Sequence, residues 1–509
     1  MKTINKLFLF LGLTLAVMSC EDAYKIDQPG RLPAEEAFQT VGDLDLGLLG
    51  AYRLLDLTPE IAFSATFTDE ISIGFDNGGQ GLSLYRYQLN AGSVAASNFW
   101  TRNYSVINAA NRIIEASEFI DVEEDPNVED GPTKSDVLAQ ARAIRAFAHY
   151  ELLRYFSPDI RNPSSLGVFK VDFVPQLNDV YFRDTTGEVL ELIQEDLDFA
   201  QANLVDESNI YFFSVDAIKA FKARIAADLA DYPTVLSLTD ELLTKYPLSE
   251  PNEYIQMFLA DPQVDGEAIM KFNRTVGDRF DGQGATGSVN AGGWVGAIFA
   301  FVDSTINGSP YYEMSRNIFN DLDPNGARYQ VLVEPTSVID DDPQVGDNAT
   351  DDVLVIGKYP GGQQPLLNDL MVFRASEMLL LRAEALAYTG SLNGSSSSAA
   401  ALLKEIRDIR GVNGGNNPLP SYSNLREALA DILFERQLEL AYEGHRYKDL
   451  KRLGEDANVG ISRADVDCVD QGGFCELNAS DFRMVSLPLP IVEFNANPEL
   501  SEQQNPGYN

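Results

Sequence analysis

Residues 138–156 read LAQARAIRAFAHYELLRYF, with small or apolar side chains at Leu138, Ala141, Ile144, Ala148, Leu152 and Tyr155. Steps of three and four place all six on one face of an α-helix. The same period returns in 98–119, 187–204, 214–230, 234–245, 371–389, 397–410 and 424–443. A chain patterned this way must bury helix against helix. The expected fold is mostly α, with a few short strands.

Some of these segments come as pairs. Ser214 is placed to cap the Ala-rich stretch 215–228, Asp231-Tyr232-Pro233 breaks it, and a second helix runs from Thr234 to about Tyr246, before Pro247. The segments 371–389 and 397–410 share that plan. Such pairs resemble tetratricopeptide repeats. They are irregular and interrupted, so they read as a scaffold rather than a plain solenoid. Long irregular loops separate them: a Gly-rich, aromatic-containing stretch at 74–100, another at 281–312, and an Asp run at 339–352. Long loops of this kind are usually functional.

The N-terminus reads as an address. Lys2 and Lys6 precede an apolar run of 12 residues, 7–18, too short to span a bilayer and typical of a secretory leader. It ends in Val17-Met18-Ser19-Cys20, which resembles a bacterial lipobox with Cys20 as the lipidated residue. The expected organisation is a leader at 1–19, a tether at 20–40 and one domain at 41–509, with halves at 41–250 and 251–509. A lipid on Cys20 would be the only membrane attachment.

Charge and composition exclude several functions. There are 38 Lys+Arg against 77 Asp+Glu, a formal charge of -39. Nucleic acid needs a basic field, and none is visible. Gly282-x-Gly284-x-x-Gly287 matches a dinucleotide fingerprint by letters but opens no helix. Asp321-x-Asp323-x-Asn325-Gly326 begins like a calcium loop, yet Leu332 stands where its bidentate Glu belongs. His149 and His445 are the only histidines and read as structural. No metal, cofactor or catalytic signature is expected. Two carboxylates suffice for glycoside hydrolysis, so composition leaves a hydrolase open, but no pair stands out. Cys468 and Cys475, in a polar Gly-containing stretch, read as a small disulfide loop.

Three segments together are specific: FERQLELAYEGHRYKDLKRLG at 434–454, FRASEMLLLRAEA at 373–385, and the tail LPLPIVEFNANP at 487–498 closing with QNPGY at 504–508. Trp100-x-x-x-Tyr104, Ala110-Asn111 and ARAIRAF at 141–147 add to them. The chain resembles the SusD/RagB family of surface nutrient-binding lipoproteins over nearly its whole mature length. The resemblance implies a non-catalytic protein on the outer membrane, facing the exterior. It would hold oligosaccharide, or in some branches peptide, as a lid over a SusC-like TonB-dependent transporter.

Loop composition supplies the ligand candidates: Trp294, Trp100, Tyr311, Tyr312, Tyr85 and Arg86. Sugar C–H faces stack on aromatic rings while polar side chains take the hydroxyls. Trp294, with Gly292, Gly293 and Gly296 around it, is the first choice. Glu435, Glu439 and Glu443 recur at steps of four, a like-charge row that needs cations. Arg436, Arg446, Arg452 and the arginines at 407–410 are the candidate partners. The row, with Asp449, is expected to identify the fold rather than touch ligand.

Overall fold

The computed structural model describes residues 37–74, 77–124, 131–176, 179–205, 209–275, 295–299, 310–345, 352–361 and 366–508. The leader, Cys20, most of the tether and Trp294 lie outside the described residues.

The period-3.6 segments form helices, and residues 41–54, 58–67, 251–259 and 446–457 add four that the sequence pattern does not name. These are α1 (Val41–Leu54), α2 (Thr58–Phe67), α3 (Val94–Ser117), α4 (Lys134–Phe156), α5 (Thr186–Asn203), α6 (Val215–Asp228), α7 (Tyr232–Lys245) and α8 (Pro251–Leu259). They continue as α9 (Ala375–Tyr388), α10 (Ala399–Ile409), α11 (Leu425–Glu439) and α12 (Arg446–Ala457). Short antiparallel ribbons join them. β1 (Ile71–Ile73) pairs with β3 (Tyr312–Met314), β2 (Ala268–Phe272) with β4 (Leu370–Arg374), and β5 (Ile461–Ser462) with β6 (Glu476–Leu477). Chain neighbours pack as pairs, α3 on α4, α6 on α7, α9 on α10 and α11 on α12, and the pairs stack through α7–α9 and α9–α11.

Local chemistry sets the helix starts. Thr133, Thr185 and Ser214 accept from the backbone N–H of Asp136 (3.1 Å), Glu188 (3.3 Å) and Ala217 (3.1 Å). Pro233 does not break the chain as the sequence pattern implies. It sits in the first turn of α7, where its missing N–H costs nothing. The break falls at Ala230, whose φ is 58°.

Burial of α4 exceeds one face: every residue from Ala143 to Phe156 is buried. Its charged groups are paired accordingly. Arg145 reaches both oxygens of Asp196 at 2.7 Å, Glu151 accepts from Lys448 at 2.9 Å, and Arg154 meets Asp228 at 3.0 Å.

The glutamate row is buried and met by cations. Arg328 bonds Glu435 (2.6 Å) and Glu439 (2.7 Å). Arg374 bonds Glu439 (2.6 Å) and Glu443 (2.8 Å), and Arg410 bonds Glu439 (3.0 Å). Glu267 bridges Arg374 (2.9 Å) and Arg410 (2.7 Å) from the other side. Arg407 takes Glu435 and Lys358 takes Glu443, both at 2.6 Å. The three guanidiniums around Glu439 hold its carboxyl well below the usual range against the opposing effect of burial.

Three expected partners are elsewhere. Arg436 meets Asp449 (2.7 Å), Arg446 meets Asp69 through two bonds of 2.8 Å, and Arg452 meets Glu384. Arg436 follows Glu435 by one residue, about 100° around the helix, so it faces α12 instead. The helix also stops at Glu439, leaving Glu443 in the turn beyond it. Replacing Glu439 by Ala strands three guanidiniums around one lost acceptor. Unfolding free energy should fall by about 3–5 kcal/mol, read as an earlier denaturant midpoint; an unmoved midpoint would show that the network carries no stability.

Candidate functional site

The chain leaves β1 at Ile73 and reaches α3 at Val94 through a loop that holds one short helix, Leu82–Tyr85. The ribbon of β1 with β3 holds this loop against Tyr311 and Tyr312. Gly74 N–H donates to the Tyr311 carbonyl (3.1 Å), and the Asn77 side chain donates to the same oxygen (2.7 Å). A Cβ at Gly74 would lie 1.9 Å from the Pro310 carbonyl oxygen, so only glycine allows this approach.

Two cavities flank the loop. The first has a volume of about 450 Å³, between α2, residues 80–95 and Tyr312. Its polar wall is Thr66, Gln80, Gln88, Asn90 and Asn98; Phe63, Leu84 and Leu89 supply apolar surface. Among the described residues, Tyr312 is the only titratable side chain in that wall. Burial pushes its phenol up to about 12, so it stays neutral. Its hydroxyl lies buried beside Thr66 and makes no well-formed hydrogen bond. Gly81 (φ 67°) packs against that hydroxyl, where an added Cβ would stand 2.2 Å away.

The second cavity, about 430 Å³, is acidic, with Glu313, Asp352, Asp467 and Asp470 in its wall. Arg316 already takes both oxygens of Asp352 at 2.9 Å. Asp467 accepts from the Arg316 backbone N–H (2.9 Å), and burial raises its carboxyl to about 7. The Cys468–Cys475 sulfurs are bonded, closing the loop that carries Asp470 and Gln471, directly after Asp467.

A third cavity of about 270 Å³ lies between α4 and α12. Its cations are spent within the fold: Arg154 on Asp228, Arg452 on Glu384, and Lys451 on the carbonyls of Arg154 (2.7 Å) and Ser157 (2.8 Å).

The sequence candidates scatter. Trp100 is buried; its indole N–H donates to Glu493 (2.9 Å), and Tyr104, Phe156 and Phe169 pack its ring at 4.8–5.1 Å. It is a core residue with no face for a ligand, because helical period turns it toward α4. Tyr85 is also buried, under the Arg463 guanidinium at 3.7 Å, with its hydroxyl donating to the Asp467 carbonyl (2.9 Å). Arg86 donates to the Gln471 carbonyl (2.8 Å) and braces the disulfide loop. The structure thus places the Trp100 and Tyr85 rings in the interior, while Arg86 stays half-buried. Tyr312 does line a cavity, Tyr311 is half-buried beside it, and Trp294 falls outside the described residues. The amides Gln80, Gln88, Asn90 and Asn98 were not singled out from the sequence, where they look like any polar loop.

Burial holds His149 neutral, lowering it to about 3, and pushes His445 well down. Among the described residues, the one cluster with metal-ligand spacing is Asp465, Cys468 and Cys475, and its sulfurs are consumed by the disulfide. No described helix is long and apolar enough to cross a membrane.

Fold and walls together define a helical scaffold that carries a loop-built cavity. Two family models match: "SusD family" over residues 358–508, and "Starch-binding associating with outer membrane" over residues 63–226. The chain is 27% identical over 496 residues to SusD-like protein P38 of Formosa agariphila, covering 90% of this chain and 93% of that one. Among solved structures, a SusD superfamily protein from Bacteroides thetaiotaomicron superposes with a TM-score of 0.73 at 22% identity, covering 92% of this chain and all of the other. A laminarin-binding SusD-like protein superposes at 0.63 with 18% identity, covering 92% and 100%. The chain belongs to the SusD/RagB family.

Two outcomes check these placements. Trp100→Ala should destabilise the fold by about 3–5 kcal/mol, since it empties a ring-packed site; a normal melt with lost ligand binding would return Trp100 to the binding surface. Asp467 holds its proton up to about 7 in the folded chain against 3.8 ordinarily, so the folded state binds the extra proton between those values. Its contribution to stability therefore falls as pH rises from 3.8 through 7. Asp467→Asn keeps the acceptor for Arg316 and removes the titration. The stability difference between pH 5 and pH 8 conditions, by denaturant melts, should shrink in the variant; an equal difference would mean Asp467 titrates normally.

Proposed function

We propose that this protein is a non-catalytic, lipid-anchored glycan-binding protein of the outer-membrane surface. It presents a neutral oligo- or polysaccharide to a SusC-like TonB-dependent transporter. The carrying observation is the wall of the 450 Å³ cavity, which joins apolar surface to four side-chain amides and a neutral phenol, with no charged group among the described residues. Amides both donate and accept, as vicinal hydroxyls require, and a neutral ligand loses no charge hydration on entering. The laminarin-binding protein with this fold supports the ligand class, and the family description naming the outer membrane supports the location. Cys20 is the proposed anchor.

Affinity electrophoresis in gels containing neutral polysaccharides tests the reading. Gln88 is exposed and Asn98 half-exposed, so Gln88→Ala with Asn98→Ala should leave the melt unchanged. Two lost hydrogen bonds should cost about tenfold in affinity. Unaltered retention, or release of reducing ends by the wild type, would refute it.

A further inference from the structure

The hairpin after α4 pairs Val168 with Asp184, whose N–H donates to the Val168 carbonyl at 3.0 Å. From its tip a series of rings runs inward. Phe173 lies 6.0 Å from Tyr181 with planes at 37°, Tyr181 lies 5.9 Å from Phe169, and Phe169 packs on Trp100 at 5.1 Å. The inner rings are core. Phe173 is 44% exposed and Tyr181 is half-buried, so two rings stand at the surface with their backs supported.

Their backbone is held in place. The Asn111 side chain donates to the Phe173 carbonyl (2.7 Å), and the Asn497 side chain donates to the Tyr181 carbonyl (2.9 Å). Rings positioned in advance lose little freedom when something stacks on them. Polar groups rim the pair: the Tyr181 hydroxyl donates to Asp179 (2.7 Å), which also accepts from the Gln176 N–H (2.8 Å). Apolar faces edged by hydroxyl, amide and carboxylate match a sugar ring, whose C–H face stacks while its hydroxyls bond outward. Asp179 and Glu493 nearby disfavour an anionic partner.

The platform also continues from the cavity. Ile491 N–H donates to the carbonyl of Ala91, between the cavity residues Asn90 and Gly92 (2.7 Å). From there the short helix Ile491–Ala496, about 9 Å long at 1.5 Å per residue, leads to Asn497 and so to Tyr181. We propose that the Phe173–Tyr181 ring pair is a second carbohydrate-stacking subsite, which takes outer sugar units of a neutral polysaccharide chain whose end occupies the cavity at Tyr312. The proposal rests on the glycan reading of that cavity.

The test uses the full chain without its leader, on laminarin, amylopectin, mannan and xylan, and on the disaccharide of whichever is retained. Phe173→Ala should weaken binding of the polysaccharide by about 2–10-fold, the range of one lost stacking contact. Disaccharide affinity and melting temperature should stay unchanged. Unchanged polysaccharide affinity would overturn the subsite while leaving the cavity reading intact. Equal loss for both ligands with an earlier melt would make Phe173 a packing residue and overturn it too. A wild-type protein that retains none of the four polysaccharides would remove the cavity reading and this subsite together.

Discussion

Glu439 is the acceptor on which the C-terminal architecture turns. Three guanidiniums from separate segments converge on it: Arg328 from the helix Ala327–Leu332, Arg374 from the end of β4, and Arg410 from the end of α10. Glu267, just before β2, closes the ring through Arg374 and Arg410. Desolvating this many charges is costly, and isolated buried pairs often fail to repay it. Here each carboxylate accepts from more than one cation, and the fork of each arginine fixes direction as well as distance. The network therefore specifies how α11 sits against the β2–β4 ribbon and α10.

The same motif reaches the candidate site without touching it. Just beyond Glu439, the Tyr442 N–H donates to Glu70 (2.9 Å) and Arg446 clasps Asp69. Those two acids immediately precede β1, the strand from which the cavity loop departs. On the far side, Arg463 donates to the carbonyls of Thr68 (2.8 Å) and Tyr85 (2.7 Å). The loop is thus pinned at its departure and at Tyr85 by C-terminal residues, which helps keep the cavity open. The glutamate-row segment acts as a foundation for the loop above it.

The charge of -39 acquires a sharper meaning in this light. Many of the chain's cations are consumed inside: Arg374, Arg410 and Lys358 are almost wholly buried, and Arg145, Arg224 and Arg446 nearly so. Each of these is paired with a buried acid, so their burial leaves the exterior's field strongly negative. A neutral ligand is indifferent to that field, whereas a polyanion would meet repulsion before contact.

Helix periods, capping residues and the need of the glutamate row for cations were all legible in the sequence, because each depends on spacings within one turn or one short segment. Arg407 and Arg410 could be named for the same reason: they lie close in the chain to the row they serve. Arg328, Arg374 and Lys358 could not, since they arrive from 65–111 residues away, and spacing carries no record of which distant strand will lie beside a helix. Trp100 shows the converse limit. An aromatic at the start of a helix beside a Gly-rich loop has the composition of a ligand platform, and only the packing of Tyr104, Phe156 and Phe169 around it assigns it to the core. The amides of the cavity wall and the exposed rings of the 168–184 hairpin carry no local signature at all. Tertiary structure alone turned them into surfaces, because a concave wall is made by segments that meet across the fold.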